Sequence, residues 1–340
     1  MNDNVVPLHR GETPREPSLA PMLGLTASAM NAVNAVILDK MQSEIPLIPA
    51  LAGHLISGGG KRMRPMLTLA GAELVGYHGT RHHKLAAAVE FIHTATLLHD
   101  DVVDGSETRR GRQTANIVFG NPATVLVGDF LFSRSFELMV EDGSLKVLKI
   151  LSSASAIIAQ GEVDQLTAQR EIETSEDRYL HIIGAKTAAL FAAASRIAAV
   201  VAERDEAEER ALDDYGRNLG IAFQLVDDAI DYDSDAASMG KDQGDDFREG
   251  KITLPVVLAY RRGSESERAF WREAMEGGNS DDHALEKAMG LITKYGSLKD
   301  TTARAEHYAS IARDALAPLP DSDEKSALLE VIAFCVNRAS

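Results

Sequence analysis

Two stretches of this 340-residue chain repeat one arrangement of carboxylates, LLHDDVVD at residues 97–104 and QLVDDAID at 224–231. In both, Asp-Asp-x-x-Asp closes an apolar run. On an α-helix, residues four apart share a face, so Asp100 lies beside Asp104 and Asp227 beside Asp231, while Asp101 and Asp228 point about 100° away. Same-face carboxylates repel by a few tenths of a kcal/mol when exposed, and by more when partly buried. A hard divalent cation relieves that repulsion. Mg²⁺ takes oxygen ligands and is usually held by one or two carboxylates together with substrate phosphates, which suits these pairs better than Zn²⁺ chemistry. A solvated acidic helix end explains either motif alone, but not both. Asp231-x-Asp233-x-Asp235 also begins like a calcium loop, yet Ala236 and Asp242 stand where glycine and glutamate belong.

With 35 Lys and Arg against 51 Asp and Glu, the net charge is −16. Such a chain repels nucleic-acid phosphates and anionic headgroups at long range, so neither is expected as a direct ligand. An anionic substrate then requires a local inversion of charge, by clustered cations or by metal held on surplus carboxylates. Lys61, Arg62 and Arg64 supply such a cluster in a glycine-rich stretch, and Arg109 and Arg110 follow the first aspartate motif. Arginine's planar fork matches phosphate oxygens and lysine adds a point charge. Two metal-type clusters with these cations describe a site for two diphosphates.

Helices must position these groups, and the prolines permit them. Seven of eleven lie at or before Pro65, and up to Pro318 only Pro122 and Pro255 remain, both placed where a helix could begin. Apolar residues recur at three- and four-residue spacing over 85–98, 147–158, 188–202 and 211–230, without sustained period-two alternation. The expectation is an all-α chain: one large bundle of antiparallel helices over residues 21–340, preceded by a flexible tail at 1–20. Residues 56–65 and 233–251 are expected as loops. The single cysteine, Cys335, excludes an intrachain disulfide and a thiolate metal cage, and the amino terminus has no apolar signal region. The apolar stretch 182–201 carries Lys186 and Arg196 and is expected to pack as a core helix, not to span a membrane. A cytoplasmic location follows as the expectation.

The segments GGGKRMRP, EFIHTATLLHDDVVD, TRRG, GAKTAALF, FQLVDDAIDYD, GKD and GKITLP resemble the trans-isoprenyl (polyprenyl) diphosphate synthases, in order, over roughly residues 50–260. The wording around the first motif is closest to the long-chain members that make octaprenyl, solanesyl and decaprenyl diphosphates. The last eighty or so residues carry no comparable signature.

That resemblance implies an isoprenoid-synthase bundle around a central cavity, active as a homodimer. Isopentenyl diphosphate would add to an allylic diphosphate, farnesyl or geranylgeranyl, to give a long all-trans chain for a quinone. It further implies that Asp100, Asp104 and Asp227 hold three Mg²⁺ ions against the allylic diphosphate, with Asp231 in support. Arg109 would bind that diphosphate, and Lys61, Arg64, His93 and Arg110 isopentenyl diphosphate. Lys186, Thr187 and Gln224 would face the reacting carbons, with Lys241 and Lys251 completing the anion shell and a lid formed by 233–251. Stable membrane insertion is not expected, whereas transient membrane contact would release product. A terpene cyclase of this fold would usually replace the second aspartate motif, and a non-catalytic subunit would have lost aspartates; this sequence has done neither.

Product length is set by what lies one turn before Asp100. Ala95 and Thr96 are small where short-chain relatives carry aromatics, so a tunnel is expected to run on beside Ile92, Val89 and Ala88. Phe132, with Phe136 one turn on, is the expected floor.

Overall fold

Alanine and glycine decide which helices of this chain can lie against one another. The computed structural model describes residues 16–57, 59–233 and 243–339. Lys241, expected in the anion shell, and residues 234–242 of the expected lid lie outside them.

The first helices are α1 (Ala20–Lys40), α2 (Leu47–Ser57), α3 (Met63–Leu74) and α4 (Arg81–Val103). A two-stranded antiparallel ribbon follows, β1 (Thr108–Arg109) with β2 (Arg112–Gln113), then α5 (Ala115–Phe119) and α6 (Asn121–Asp142). Next come α7 (Leu145–Ala168), α8 (Glu176–Ile183), α9 (Ala189–Val201), α10 (Glu206–Asp231) and α11 (Asp245–Arg248). The bundle is completed by α12 (Leu254–Arg262), α13 (Glu265–Trp271), α14 (Asp282–Lys294), α15 (Ser297–Ala315) and α16 (Asp323–Val336). The all-α expectation holds, and Pro122 and Pro255 both fall in the first turn of a helix. The ribbon is too short to show a strand period in sequence. The expected loop 56–65 is narrower in the structure, because Arg64 and Pro65 already belong to the first turn of α3, where a missing amide costs nothing. Packing begins ahead of α1, where the Ser18 amide donates to Glu330 and Leu19 is buried.

Helix α9 is the axis of the bundle. All its residues except Arg196 are buried, against α3, α4, α7 and α10. The run Glu176–Val201 is apolar and long enough to cross a membrane, but 83% of its most apolar window is buried, as a core helix requires. Its register changes at Gly184–Ala188, a π-helical turn that carries Lys186 and Thr187. Such turns insert one residue into a helix and occur often at functional sites.

Glycines set the spacing around that turn. A Cβ at Gly216 would come within 2.4 Å of the Phe191 carbonyl oxygen, and one at Gly220 within 2.6 Å of the Ala188 Cα. On α7, a Cβ at Gly161 would lie 2.8 Å from the Ala185 Cβ. The backbones of α7 and α10 therefore meet the π turn directly, which brings Gln224, one turn beyond Gly220, up to Thr187.

Overpacking that contact has a measurable cost. Gly220→Ala is expected to destabilise the protein by about 1–3 kcal/mol and to lower activity per folded molecule by displacing Gln224. Gly24→Ala, where α1 offers open space, should raise stability by up to ~1 kcal/mol. Urea denaturation of both variants checks the pair, and equal effects would contradict the packing argument.

Candidate active site

Both aspartate motifs end helices, α4 and α10, at the pole where the peptide dipoles sum to a partial negative charge. The location adds to the mutual repulsion of the carboxylates, and the protein answers with cations. Asp100 lies 3.6 Å from the Lys186 ammonium, Asp104 2.9 Å from Lys251, and Asp227 2.9 Å from the guanidinium of Arg338. Burial raises the Asp100 pKa, with Lys186 pulling against it. Burial alone would lower Lys251, but Asp246, Asp104 and Glu249 outweigh it and hold its ammonium charged.

The intervening aspartates turn inward, as helix geometry requires. Asp101 is buried and accepts from Arg109 at 2.7 Å, so the arginine expected on the allylic diphosphate is anchored at the base of the motif. The end of α4 is closed by Asn116, whose amide donates to the Asp101 carbonyl. Asp231 is buried too: its carboxylate accepts the Asp246 amide at 3.2 Å and its carbonyl the Gly244 amide at 2.9 Å. It ties α10 to α11, a different setting from that of Asp227, one turn earlier.

Behind the carboxylates, a cavity of about 120 Å³ is lined by Lys186, Thr187, Gln224, Asp228, Lys251 and Tyr179, among others. The Thr187 hydroxyl donates to Gln224 Oε1 at 2.8 Å, and the Gln224 amide donates to Asp228 at 2.7 Å. Burial, reinforced by Asp246, lifts the Asp228 carboxyl to about 7, while hydrogen bonds from Tyr179 and Gln224 oppose the rise. Lys186 is shared with Glu162 of α7 at 2.7 Å, and burial next to Asp100 raises the Glu162 pKa. Glu162 is absent from the sequence-based set. Its signal was a carboxylate one turn past buried Ile158 on the inward stripe of α7.

The cation loop approaches from the other side. Arg110 and Gly111 form the two-residue turn of the ribbon, both with positive φ (54° and 72°), as a tight hairpin demands. Glycine supplies that geometry freely and Arg110 is strained by it. A guanidinium nitrogen of Arg110 donates to the Gly59 carbonyl, and a Cβ on Gly60 would lie 2.6 Å from the same group. A larger residue at position 60 would push the end of the Arg110 side chain aside. Arg64 stacks on Phe191 at 4.4 Å and donates to His93 Nε2 at 3.1 Å, and burial lowers its pKa to about 10. Burial and then Arg64, Arg110 and Arg109 push His93 well down, so its ring is a neutral acceptor. Arg62 is diverted to Glu90 at 3.1 Å and serves the scaffold. Lys61 lies over the ring of Phe334, so α16 and the following Arg338 border a site for which the C-terminal sequence offered no signal.

Of the residues expected to set product length, Ala95 is fully buried and Thr96 half-buried, its hydroxyl turned back to the His93 carbonyl. Phe132 and Phe136 meet edge to face at 5.3 Å and pack on the core cluster that contains Ala95 and Ile92.

The donor set is one of hard oxygens. Among the described residues no three His, Cys, Asp or Glu groups converge on a single point. That is compatible with Mg²⁺, which is held by few carboxylates and completes its shell with phosphate oxygens and water.

A family model described as Polyprenyl synthetase matches residues 45–292. The octaprenyl diphosphate synthase of Escherichia coli K12 is 47% identical over 314 residues, 92% of this chain and 97% of that protein. The polyprenyl synthase of Caulobacter crescentus CB15, solved with calcium and isoprenyl diphosphate, is 51% identical with a TM-score of 0.92, over 96% of this chain and 100% of that one. A decaprenyl diphosphate synthase from Rhodobacter capsulatus matches with the same identity and TM-score, over 95% and 100% of the two chains.

Since Asp104 already has a protein cation, its removal does more than relieve repulsion. Asp104→Asn is expected to lower the stability of the metal-free protein by about 1 kcal/mol, because Lys251 loses a partner in a partly buried setting. Denaturation in the presence of a chelator measures it. A rise in stability would show repulsion to be the larger effect.

Proposed function

This chain belongs to the polyprenyl synthetase family, and from that premise we infer the chemistry of its site. It is a chain-elongating polyprenyl diphosphate synthase, condensing isopentenyl diphosphate with an allylic diphosphate to a long-chain product. The observation that supports the site reading is the pairing of the two aspartate motifs, at the ends of α4 and α10, with cations from distant parts of the chain: Lys186, Lys251 and Arg338. We propose a farnesyl or geranylgeranyl diphosphate primer and an octaprenyl to decaprenyl product, which suits a quinone side chain.

Asp100, Asp104 and Asp227 would hold three Mg²⁺ ions together with the allylic diphosphate, and the metal supplies charge neutralisation for the departing group. The relative solved with calcium and isoprenyl diphosphate supports a divalent cation beside such a ligand. Arg109, fixed by Asp101, orients the same diphosphate, with Lys251 beside it; a role for Lys241 in the same anion shell is what the family resemblance implies. Lys61, Arg64, His93 and Arg110 hold isopentenyl diphosphate, neutral His93 accepting from Arg64 so that the guanidinium faces the phosphate. The allylic carbon–oxygen bond breaks, the double bond of isopentenyl diphosphate attacks the allylic cation, and a proton then leaves to the released diphosphate. Thr187 and Gln224 turn oxygen toward the cation, in a cavity closed to water. The tail grows along α4 past Thr96 and Ala95, with Phe132 as floor.

Exposed apolar side chains on α5 to α7, among them Ile117, Val118, Val125 and Leu126, support a homodimer through that face. Exposed Leu23, Leu38, Ile45 and Leu47 on and after α1 support transient contact with a membrane when product leaves a cytoplasmic enzyme.

Incubation with farnesyl diphosphate, labelled isopentenyl diphosphate and Mg²⁺, followed by chromatography of the dephosphorylated products, tests the reading. An octaprenyl to decaprenyl alcohol is expected, and no elongation at all would refute it. Ala95→Phe combined with Thr96→Phe should shorten the product to farnesyl or geranylgeranyl diphosphate, and Phe132→Ala should lengthen it. Full-length product from the aromatic pair would remove α4 as the tunnel wall. Leu126→Glu should convert the dimer to a monomer in sedimentation velocity at micromolar concentration, and an unchanged dimer would place the interface elsewhere.

A further inference from the structure

Four residues on α10, Gly216, Gly220, Gln224 and Asp228, recur every four positions and so share one face. The two glycines press that face onto α9 and the π turn, and the next two residues carry a buried chain of hydrogen bonds. The Tyr179 hydroxyl donates to one Asp228 oxygen at 2.5 Å, and Gln224 Nε2 donates to the other at 2.7 Å. Gln224 Oε1 in turn accepts from the Thr187 hydroxyl at 2.8 Å. Tyr179 is buried, and burial together with Asp228 raises its pKa well up, so it remains a donor.

The chain has a direction. Asp228 accepts from the Tyr179 hydroxyl on one oxygen and from the Gln224 amide nitrogen on the other, which turns the Gln224 carbonyl oxygen away from it. That oxygen then draws the Thr187 proton. One N–H of Gln224 and the Thr187 O–H are committed within this chain, and each of the two oxygens keeps a lone pair. If Gln224 flipped, an N–H would face the place where positive charge develops.

We propose that Tyr179 and Asp228 are positioning residues that lock the Gln224 amide and the Thr187 hydroxyl with oxygen, not hydrogen, toward the allylic cation. The proposal rests on the placement of Gln224 and Thr187 beside the reacting carbons. Neither Tyr179 nor Asp228 touches substrate in this scheme; each acts through Gln224. Preorganised dipoles stabilise charge best when they need no reorientation during the reaction.

The test separates charge recognition from shape. An allylic diphosphate analogue with a tertiary ammonium at the cationic carbon is titrated into the Mg²⁺-loaded protein alongside its neutral isostere. Tyr179→Phe should weaken the ammonium analogue about tenfold and leave the neutral one within twofold. In turnover the same variant should lower kcat about tenfold with both KM values within twofold. The double variant Tyr179→Phe with Gln224→Leu should be no slower than Gln224→Leu alone, as expected for residues acting in series. Asp228→Asn, which permits the flip, should reproduce the ammonium-specific loss if Tyr179→Phe fails to fold. Equal weakening of both analogues, or multiplicative losses in the double variant, would overturn the proposal. Gln224→Leu with unchanged kcat would overturn it as well and, with elongation intact in the parent protein, would locate the error in the role of Gln224 and not in the synthase activity.

Discussion

Like charge held at the wrong end of a helix is the constraint around which this protein is built. Carboxylates are favoured at helix N-termini, yet Asp100, Asp104 and Asp227 stand at the C-terminal ends of α4 and α10. Nothing in the fold relieves this by distance, so it is relieved by charge, with Lys186, Lys251 and Arg338 each drawn to one carboxylate. The three come from the π turn, from the segment after α11 and from the turn after α16. Remote parts of the chain thus come to the ends of α4 and α10, each supplying a cation to one of these carboxylates. The same convergence is what a diphosphate with its metal ions needs, since metal taking over the carboxylates leaves the cations available to phosphate oxygen.

Convergence demands that backbones approach closely, and this explains a core of small residues in a protein with few aromatics. Gly161, Gly216 and Gly220 leave no room for a Cβ against α9 and the π turn. Large residues there would hold α7 and α10 apart and separate Glu162 from Lys186 and Gln224 from Thr187. The π turn then sets the register, presenting Lys186 toward the carboxylates and Thr187 toward Gln224. Close packing is here a condition of the electrostatics. Burial also sets a cost on charge here, raising the Asp100 and Glu162 carboxyls and depressing His93, and nearby cations such as Lys186 offset it for the carboxylates.

The sequence disclosed what periodicity and composition encode. Helices α4, α7, α9 and α10 were legible because apolar spacing persists over three or more turns, and the paired aspartates because helical spacing of four predicts which face each takes. The inward Asp101 follows from the same rule. Arg338 and Glu162 were not legible, since a lone charged residue shows its partner only after distant helices are brought together. The ribbon that presents Arg110 is two residues per strand, below any detectable alternation. Arg62 was misplaced among the anion-binding groups for the converse reason. Its neighbours suggest phosphate, but its side chain reaches Glu90 of α4.

Helix α4 carries the first aspartate motif, and in the proposed scheme its face also forms the wall along which the product grows, so its length bears on that scheme. From Asp100 back to Arg81 the helix takes nineteen residue steps, which at 1.5 Å each span roughly 28 Å, or about five turns. One extended isoprene unit is about one turn long, so an octaprenyl tail outruns the helix. At its N-terminus α4 is fastened to the end of α6 by two hydrogen bonds, both 2.9 Å, from Arg81 to Asp142, whose carboxylate is almost fully buried. A straight apolar tail on the proposed path would meet that ion pair before it is complete. Its remaining units would then have to bend away from α4, toward α6 and α7 where Phe132, Phe136 and Leu148 pack. Exposed Val140 and Leu145 flank the same turn. On the proposed path, length control would depend on where the tail can turn as well as on how far it can run, and residues on α6 and α7 would share it with Ala95 and Thr96.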